Sequence, residues 1–293
     1  MHQNSRYRKR SFSEGVGWLS KAAELLSSGG SALVGVAALF LLVSMIQFLP
    51  LIGSIALVML SPLLTAGLMT VFRLVSEGTR PQATLLFAGW HDAGVRFRLL
   101  TLGAWLLLGT IAAIMSLTLW LAPQMDMDAL TRVMNDPDVL ANDPEALFNL
   151  FAGVNLFGGL VLFVVIMAIV LSGLYFAIPL VLFWKWPVVP SLIFSIRAML
   201  GNWLAFLGFG MVLLVVLFAA GFMFALLVGI LGLALGQLGA LLSQLVFIVT
   251  SLFIQLLLAA TQWVAFQQVF QSDDSISDDG DNSSDQDSGS LDI

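Results

Sequence analysis

The chain has 293 residues and a formal net charge of −6; 59% of its residues are hydrophobic and only 10% are charged. Charged residues make up roughly a quarter of an ordinary soluble domain, so this composition excludes a water-soluble protein. The chain contains no cysteine, which excludes disulfides, thiolate metal sites and a cysteine nucleophile.

The first predicted element is an amphipathic helix close to the N-terminus. Apolar residues recur at steps of three and four from Val16 to Leu26, and Ser20, Lys21 and Glu24 lie opposite them. This pattern predicts a helix that rests on the membrane surface or on the protein's own bundle, with docking to a partner as the alternative. We place this helix in a cytosolic segment that covers residues 1–31.

Long stretches without any charged residue or histidine predict the membrane-spanning helices. About 20 apolar residues cross a bilayer, and the stretches are too long for one crossing each. Pro50 and Gly53 divide the first stretch, and the glycine-rich residues 229–239 divide the last. The prediction is an all-α polytopic transmembrane helix bundle over residues 32–271. Its six helices lie near residues 33–49, 52–72, 99–121, 156–179, 203–228 and 241–263.

Two of the connecting loops contain apolar residues that predict short interfacial helices. The first of these follows Pro81 and the second follows Pro190. Each loop comes after a membrane helix that contains a proline, Pro62 or Pro179, and leads into the next membrane helix. This order suggests a three-plus-three helix repeat, and Pro179 is expected to kink the end of its helix.

The basic residues predict the orientation in the membrane. Eleven of the twelve Lys and Arg residues flank the predicted helices on one side, and the exception is Arg132. Arg132 belongs to the loop 122–155, which also holds six acidic residues. Because Lys and Arg stay on the cytosolic side, this loop is predicted to be external and both termini cytosolic.

The C-terminal tail, residues 272–293, holds eight of the eighteen acidic residues together with Ser, Gly and Asn. It has almost nothing to bury, which predicts a disordered acidic cytosolic segment. Without the tail the remaining chain has a small positive charge, so the negative sign of the net charge comes from the tail.

Short apolar motifs lie beside the prolines of both halves of the chain. In the first half they are Pro62 to Gly67, Arg73, Gly78 and Leu86-Phe87-Ala88-Gly89; in the second they are Ala177-Ile178-Pro179-Leu180, Pro190, Ser195, Ala198 and Asn202-Trp203. Together they resemble an uncharacterised family of bacterial inner-membrane proteins, a family of unknown function. The resemblance implies a six-helix protein of the bacterial inner membrane and supplies no activity, substrate or functional residue.

The predicted spans offer no residues for acid–base or metal chemistry. They contain no Asp, Glu, Lys, Arg or His, and the chain has neither an HExxH zinc motif nor a phosphate-binding glycine-rich loop. Lys185 stands between Trp184 and Trp186, a pattern typical of anchoring at a membrane interface. We therefore expect no catalytic residue, no metal site and no cofactor, and predict that the protein is not an enzyme.

The sixth predicted helix carries a polar stripe. Its members follow steps of seven, seven, four and seven residues, which places them on one helix face. An unpaired amide is costly in hydrocarbon, so this face should meet other helices or line a wet cavity. The stripe consists of Gln237, Gln244, Ser251, Gln255 and Gln262.

The fifth predicted helix carries small residues at the spacing that lets helices approach closely: Gly221, Ala225 and Gly229. Helix packing within the chain is the first interpretation, and a homodimer face is the alternative.

Two functions fit these features. The first is a non-enzymatic membrane assembly, scaffold or envelope-maintenance factor, which acts through contacts with a second copy or a cytosolic protein partner. The alternative is a passive channel or transporter for a neutral or amphiphilic solute, suggested by the glutamine stripe and the proline-containing helices. Both place the protein in the lipid bilayer of the cell inner membrane, and neither involves nucleic acid.

Overall fold

The computed structural model describes residues 7–50, 52–135 and 153–270, and these residues are 90% helical, without a β-strand. Six of these helices are long and apolar enough to cross a membrane, which confirms the predicted all-α polytopic bundle. The acidic tail and residues 136–152 of the predicted external loop lie outside the described residues.

The six long helices are α1, α2, α4, α6, α8 and α9. In chain order the helices are α1 (Phe12–Ser44), a 3-10 turn (Met45–Phe48), α2 (Ile52–Ser76), a 3-10 turn (Ala83–Phe87), α3 (Ala88–His91), α4 (Ala93–Leu121), a 3-10 turn (Ala122–Gln124), α5 (Met127–Asn135), α6 (Leu156–Trp184), α7 (Val188–Gly201), α8 (Trp203–Leu235) and α9 (Gln237–Phe270).

Most of the helices are longer than the predicted spans. The predicted amphipathic helix and the first span form one element, α1, which is interrupted only at Gly30 with φ +50° and ψ −137°. The turn in the glycine-rich stretch is confined to Gly236, which has φ +54°. α6 continues past Pro179 and ends at Lys185, which adopts a left-handed conformation with φ +53°.

The N-terminal part of α1 packs on the bundle itself. The fully buried Trp18 ring contacts Phe206 edge-on at 5.1 Å, and its Nε1 donates to Gln268 of α9 at 3.0 Å. A Cβ atom at Gly15 would lie 1.8 Å from the carbonyl oxygen of Ala205, so only glycine permits this approach of α1 to α8. The predicted amphipathic helix therefore packs on the protein's own bundle.

The two predicted short helices also pack into the bundle. The 3-10 turn Ala83–Phe87 lies directly on α2, where a Cβ at Gly67 would be 1.9 Å from the Leu86 carbonyl oxygen. Leu86 is fully buried. α7 packs on α6, with Leu192 beside Gly173. Both halves therefore place a short helix against a proline-containing helix, and the three-plus-three repeat remains a prediction.

The tightest packing is at one end of the bundle, which we call the basic end. It holds Arg73, whose guanidinium lies 5.7 Å from the Phe183 ring, and Arg98, which donates to the carbonyl oxygen of Lys185. Buried residues concentrate in the parts of α2, α6 and α9 nearest this end. By contrast, α8 buries only Ala205 and Gly208, so most of its surface faces outward.

Candidate functional site: a polar cavity between five helices

The proline of α6 leaves a carbonyl without its usual helical partner inside the bundle. Pro179 has no N–H, so the carbonyl oxygen of Tyr175, four residues earlier, cannot accept the regular backbone bond. The Nε2 group of Gln262, on α9, donates to this oxygen instead. Gln262 is only 9% exposed. A side chain of α9 therefore completes the hydrogen bonding of α6, which allows the helix to continue through the proline.

A second side-chain bond joins α7 to α6 close to the same point. The buried hydroxyl of Ser195 donates to the carbonyl oxygen of Ser172 at 2.6 Å and accepts from the backbone N–H of Phe176 at 2.9 Å. α6 is thus held one turn before its proline by α7 and at its proline by α9.

In α2, the carbonyl that the proline frees is satisfied within the same helix. Pro62 leaves the carbonyl oxygen of Val58 free, and the Ser61 hydroxyl donates to it at 2.8 Å. The Thr65 hydroxyl donates to the carbonyl oxygen of Ser61 at 2.9 Å. Both hydroxyl oxygens keep lone pairs that can accept further hydrogen bonds.

These polar groups meet around a cavity of about 360 Å³, which we call the central cavity. It lies where α1, α2, α6, α8 and α9 come together. Its polar lining residues are Ser61, Thr65, Tyr175, Gln255 and Gln262, and its apolar ones are Phe40, Leu64, Leu68, Phe209, Leu258 and Ala259. None of them is Asp, Glu, Lys, Arg or His.

Tyr175, which lines the central cavity, carries an unsatisfied polar group. Its hydroxyl is buried and has no hydrogen-bond partner among the described residues. A buried hydroxyl without a partner costs roughly 1–3 kcal/mol.

A second cavity, of about 280 Å³, lies between α8 and α9, and we call it the hairpin cavity. Its lining is mostly apolar, and Leu217 and Phe247 are partly exposed on the outer surface. Gln255 lines both cavities, and its Nε2 donates to the Ser251 hydroxyl at 3.3 Å. The remaining lining residues are Ala220, Gly221, Phe224, Thr250, Ser251 and Ile254.

The predicted polar stripe of α9 is divided by the structure into two parts. Ser251, Gln255 and Gln262 line the cavities, as the sequence predicts for part of the stripe. Gln237 and Gln244 are exposed on the part of α9 far from the basic end. The periodic spacing placed all five on one face, and the cover of that face increases toward the basic end: Gln255 is still exposed, whereas Gln262 is nearly buried.

The small residues of α8 have no close helix contact within the described chain. A Cβ added at Gly221 or at Gly229 meets no atom within 4 Å, and Ala225 is exposed. Gly221 instead borders the hairpin cavity. The intramolecular packing interpretation therefore has no contact to support it here, and the homodimer face stays a prediction.

At the basic end, the segment before α4 is tied to the end of α6. Lys185 Nζ lies 3.0 Å from Asp92 Oδ2, and the other carboxylate oxygen of Asp92 accepts from the backbone N–H groups of Gly94 and Val95. The hydrogen bond from Lys185, followed by these backbone bonds, lowers the pKa of Asp92. Lys185 is thus an electrostatic anchor of the loop before α4, in addition to its predicted interfacial role.

Sequence reasoning missed Ser61, Thr65 and Tyr175 as members of the site. A signal was present, because Ser61 precedes a proline inside an apolar helix and Tyr175 stands four residues before the other proline. Hydroxyls and carbonyls near helix prolines are where unpaired polar groups arise in a membrane.

The described residues contain no group of three or more His, Asp or Glu that could hold a metal ion. Comparison of the chain with family models, with curated proteins and with solved structures found no match. The chemistry of the cavities therefore carries the functional argument.

Proposed function

We propose that this integral membrane protein binds a neutral or amphiphilic solute in the central cavity and passes it through the bundle without catalysing a reaction. The observation that carries the proposal is a cavity between five helices whose lining combines uncharged polar side chains with apolar ones. An uncharged hydrogen-bonding solute can exchange partners with such a wall, whereas a charged one would be buried without a counter-ion.

The depth of the central cavity supports this proposal. Gln262 lies eight residues before the end of α9, about 12 Å along the helix, and Thr65 lies eleven residues before the end of α2, about 16 Å. The hydrocarbon core of a bilayer is about 30 Å thick, so these distances support a polar lining at membrane depth. Polar groups at that depth are a feature of sites that receive polar solutes.

Flux measurements in proteoliposomes test the proposal. We expect saturable entry of at least one neutral solute, from glycerol to a short alkyl glucoside, above the rate in protein-free liposomes. Gln255→Leu removes a polar group from the cavity wall and should lower this flux several-fold. Gln244→Leu, a matched change of another exposed glutamine of α9 that lines neither cavity, should leave it unchanged. Flux equal to that of empty liposomes, or an equal effect of both variants, would contradict the proposal.

A second candidate is the assembly, scaffold or envelope-maintenance factor, for which the uncovered small-residue face of α8 is the supporting observation. Gly221 and Gly229 have open space above their Cα atoms, which suits the close approach of a helix from a second copy or a partner. This function also needs no catalytic residue.

Cysteine crosslinking tests the second candidate in a background without native cysteine. A Gly221→Cys or Gly229→Cys variant should give an intermolecular product in native membranes, and Ile169→Cys, on an exposed part of α6, should not. Absence of any product at both glycine positions would remove the form of this candidate in which a second copy packs on α8.

We further propose that the protein lies in the inner membrane of a bacterium with both termini in the cytosol. The gathering of Arg73, Arg98 and Lys185 at one end of the bundle supports this orientation, because basic residues stay on the cytosolic side.

A further inference from the structure

We infer that the two cavities form one binding site for a single-chain amphiphile with an uncharged, hydroxyl-bearing head group. The head would occupy the central cavity and the acyl chain the hairpin cavity. The inference rests on the proposed solute-binding function and adds the class of ligand and its direction in the bundle.

The polar groups of the central cavity determine the head group. The Nε2 group of Gln255 has a second N–H that can donate, while the Oε1 atoms of Gln255 and Gln262 and the hydroxyl oxygens of Ser61 and Thr65 can accept. A glycerol or sugar hydroxyl donates and accepts at once, so it can satisfy both kinds of group. A phosphate or carboxylate would find no cationic partner among the lining residues.

The hairpin cavity suits the chain of such a molecule. Its walls are formed largely by Leu217, Phe224, Phe247 and Ile254, and hydrocarbon binds to such walls through apolar burial. The exposed Leu217 and Phe247 place its edge on the outer surface of the α8–α9 hairpin, where acyl chains of the bilayer lie.

Gln255 lines both cavities, so it connects the part of the site proposed for the head group with the part proposed for the acyl chain. From Phe247 to Gln262 the site follows α9 for fifteen residues, about 22 Å, or about three-quarters of the hydrocarbon thickness. That length accommodates a head group and one acyl chain. Gln255 lies between the two parts, where the head of an amphiphile joins its chain.

Photo-crosslinking of the full chain in phosphatidylcholine nanodiscs tests the inference. The probe is a monoacylglycerol with a diazirine in the middle of its acyl chain, and labelled peptides are identified by mass spectrometry. We expect saturable labelling of residues 217–224 and 247–254. Unlabelled monoolein should compete for labelling. Oleate and lysophosphatidylglycerol, which carry charged head groups, should compete at least about tenfold more weakly than monoolein.

Cavity-filling variants provide the matched control. Gly221→Leu adds a side chain at the edge of the hairpin cavity where a Cβ meets no atom within 4 Å, and Ala220→Phe fills the same cavity from the next position. Loss of contact with two chain methylenes should weaken labelling about tenfold. Gly210→Leu lies on the same helix, also in open space and away from both cavities, and should have no effect.

The outcomes separate this inference from the proposed function. Saturable labelling confined to the central cavity, or labelling of the hairpin that both filling variants leave intact, would overturn the two-cavity site while leaving solute binding in place. Equal competition by the charged amphiphiles would overturn the uncharged head group. No saturable labelling anywhere, together with no solute flux, would contradict the proposed function itself.

Discussion

At the scale of single residues, the structure is organised around hydrogen-bonding groups that two prolines release inside an apolar bundle. The carbonyl freed by Pro179 is satisfied from another helix by Gln262, whereas the one freed by Pro62 is satisfied by Ser61 of the same helix. The first hydrogen bond joins α6 to α9, whereas the second lies within α2 and joins it to no other helix. The same few polar side chains therefore hold the fold together and line the central cavity.

Replacement of Gln262 tests this coupling. Gln262→Leu removes the donor to the Tyr175 carbonyl and leaves that oxygen unpaired in the bundle, so the free energy of unfolding should fall by about 1–2 kcal/mol. Gln244→Leu changes the same residue type at an exposed position of α9 and should change stability by less than about 0.5 kcal/mol. Thermal unfolding in detergent measures both, and equal stability of the two variants would show that the Gln262 bond does not matter.

The ion pair between Asp92 and Lys185 makes a further residue-scale prediction. Because the pKa of Asp92 is lowered in the folded protein, its contribution to stability is present above the ordinary carboxyl pKa of about 4 and is lost as the pH falls through the lowered value. Asp92→Asn keeps an N-cap acceptor for α4 but removes the charge.

The melting temperature of wild type and Asp92→Asn should therefore differ at pH 7 and converge below roughly pH 4. The difference should be small, since both side chains are exposed and screened. A difference that grows on acidification would contradict the lowered pKa.

At the scale of the helices, close backbone approach at glycines decides how the elements meet. Because Gly15 has no side chain, α8 can pack directly on α1. Gly67 likewise lets the 3-10 turn Ala83–Phe87 pack directly on α2. These contacts draw into the bundle two segments that hydropathy alone would leave at the membrane surface. The sequence predicted that both segments are helical, but periodicity shows only that a face is apolar and not what covers it.

Two neighbouring glycines of α1 test this account. Gly15→Ala places a methyl group on the backbone of α8 and should destabilise the protein by about 1–3 kcal/mol, because backbone cannot move as a flexible side chain can. Gly17→Ala meets no atom within 4 Å and should stabilise α1 by about 0.5–1 kcal/mol through its higher helix propensity. Unfolding temperatures that move in the same direction would argue against the contact between Gly15 and α8.

At the scale of the whole molecule, the sequence predicted the number of long helices, the helical class and most of the turns. It did so because a bilayer demands about 20 apolar residues for each crossing, and Pro50 and the glycine-rich stretch mark the divisions. The central cavity could be predicted only in part. Gln255 and Gln262 stood out by their spacing, but Tyr175 and Thr65 belong to other helices, and a single chain without an alignment does not reveal which helix faces meet.

The short motifs that carry the family resemblance lie largely in buried contacts at the basic end. Leu86, Ala177, Ser195 and Ala198 are fully buried, and Asn202 is 1% exposed. Ser195 bridges backbone groups of α6, while the Asn202 side chain accepts from the backbone N–H of Arg10. These residues therefore hold helices together at the basic end.

Labelling of single cysteines tests the oriented six-helix account most directly, because the native chain has none. Thr79→Cys, Asn135→Cys and Val189→Cys place an exposed thiol after α2, before α6 and after α6. With a membrane-impermeant maleimide, Asn135→Cys should react in intact cells, whereas the other two should react only after the membrane is permeabilised. Reaction of all three from the same side of the membrane would contradict the account.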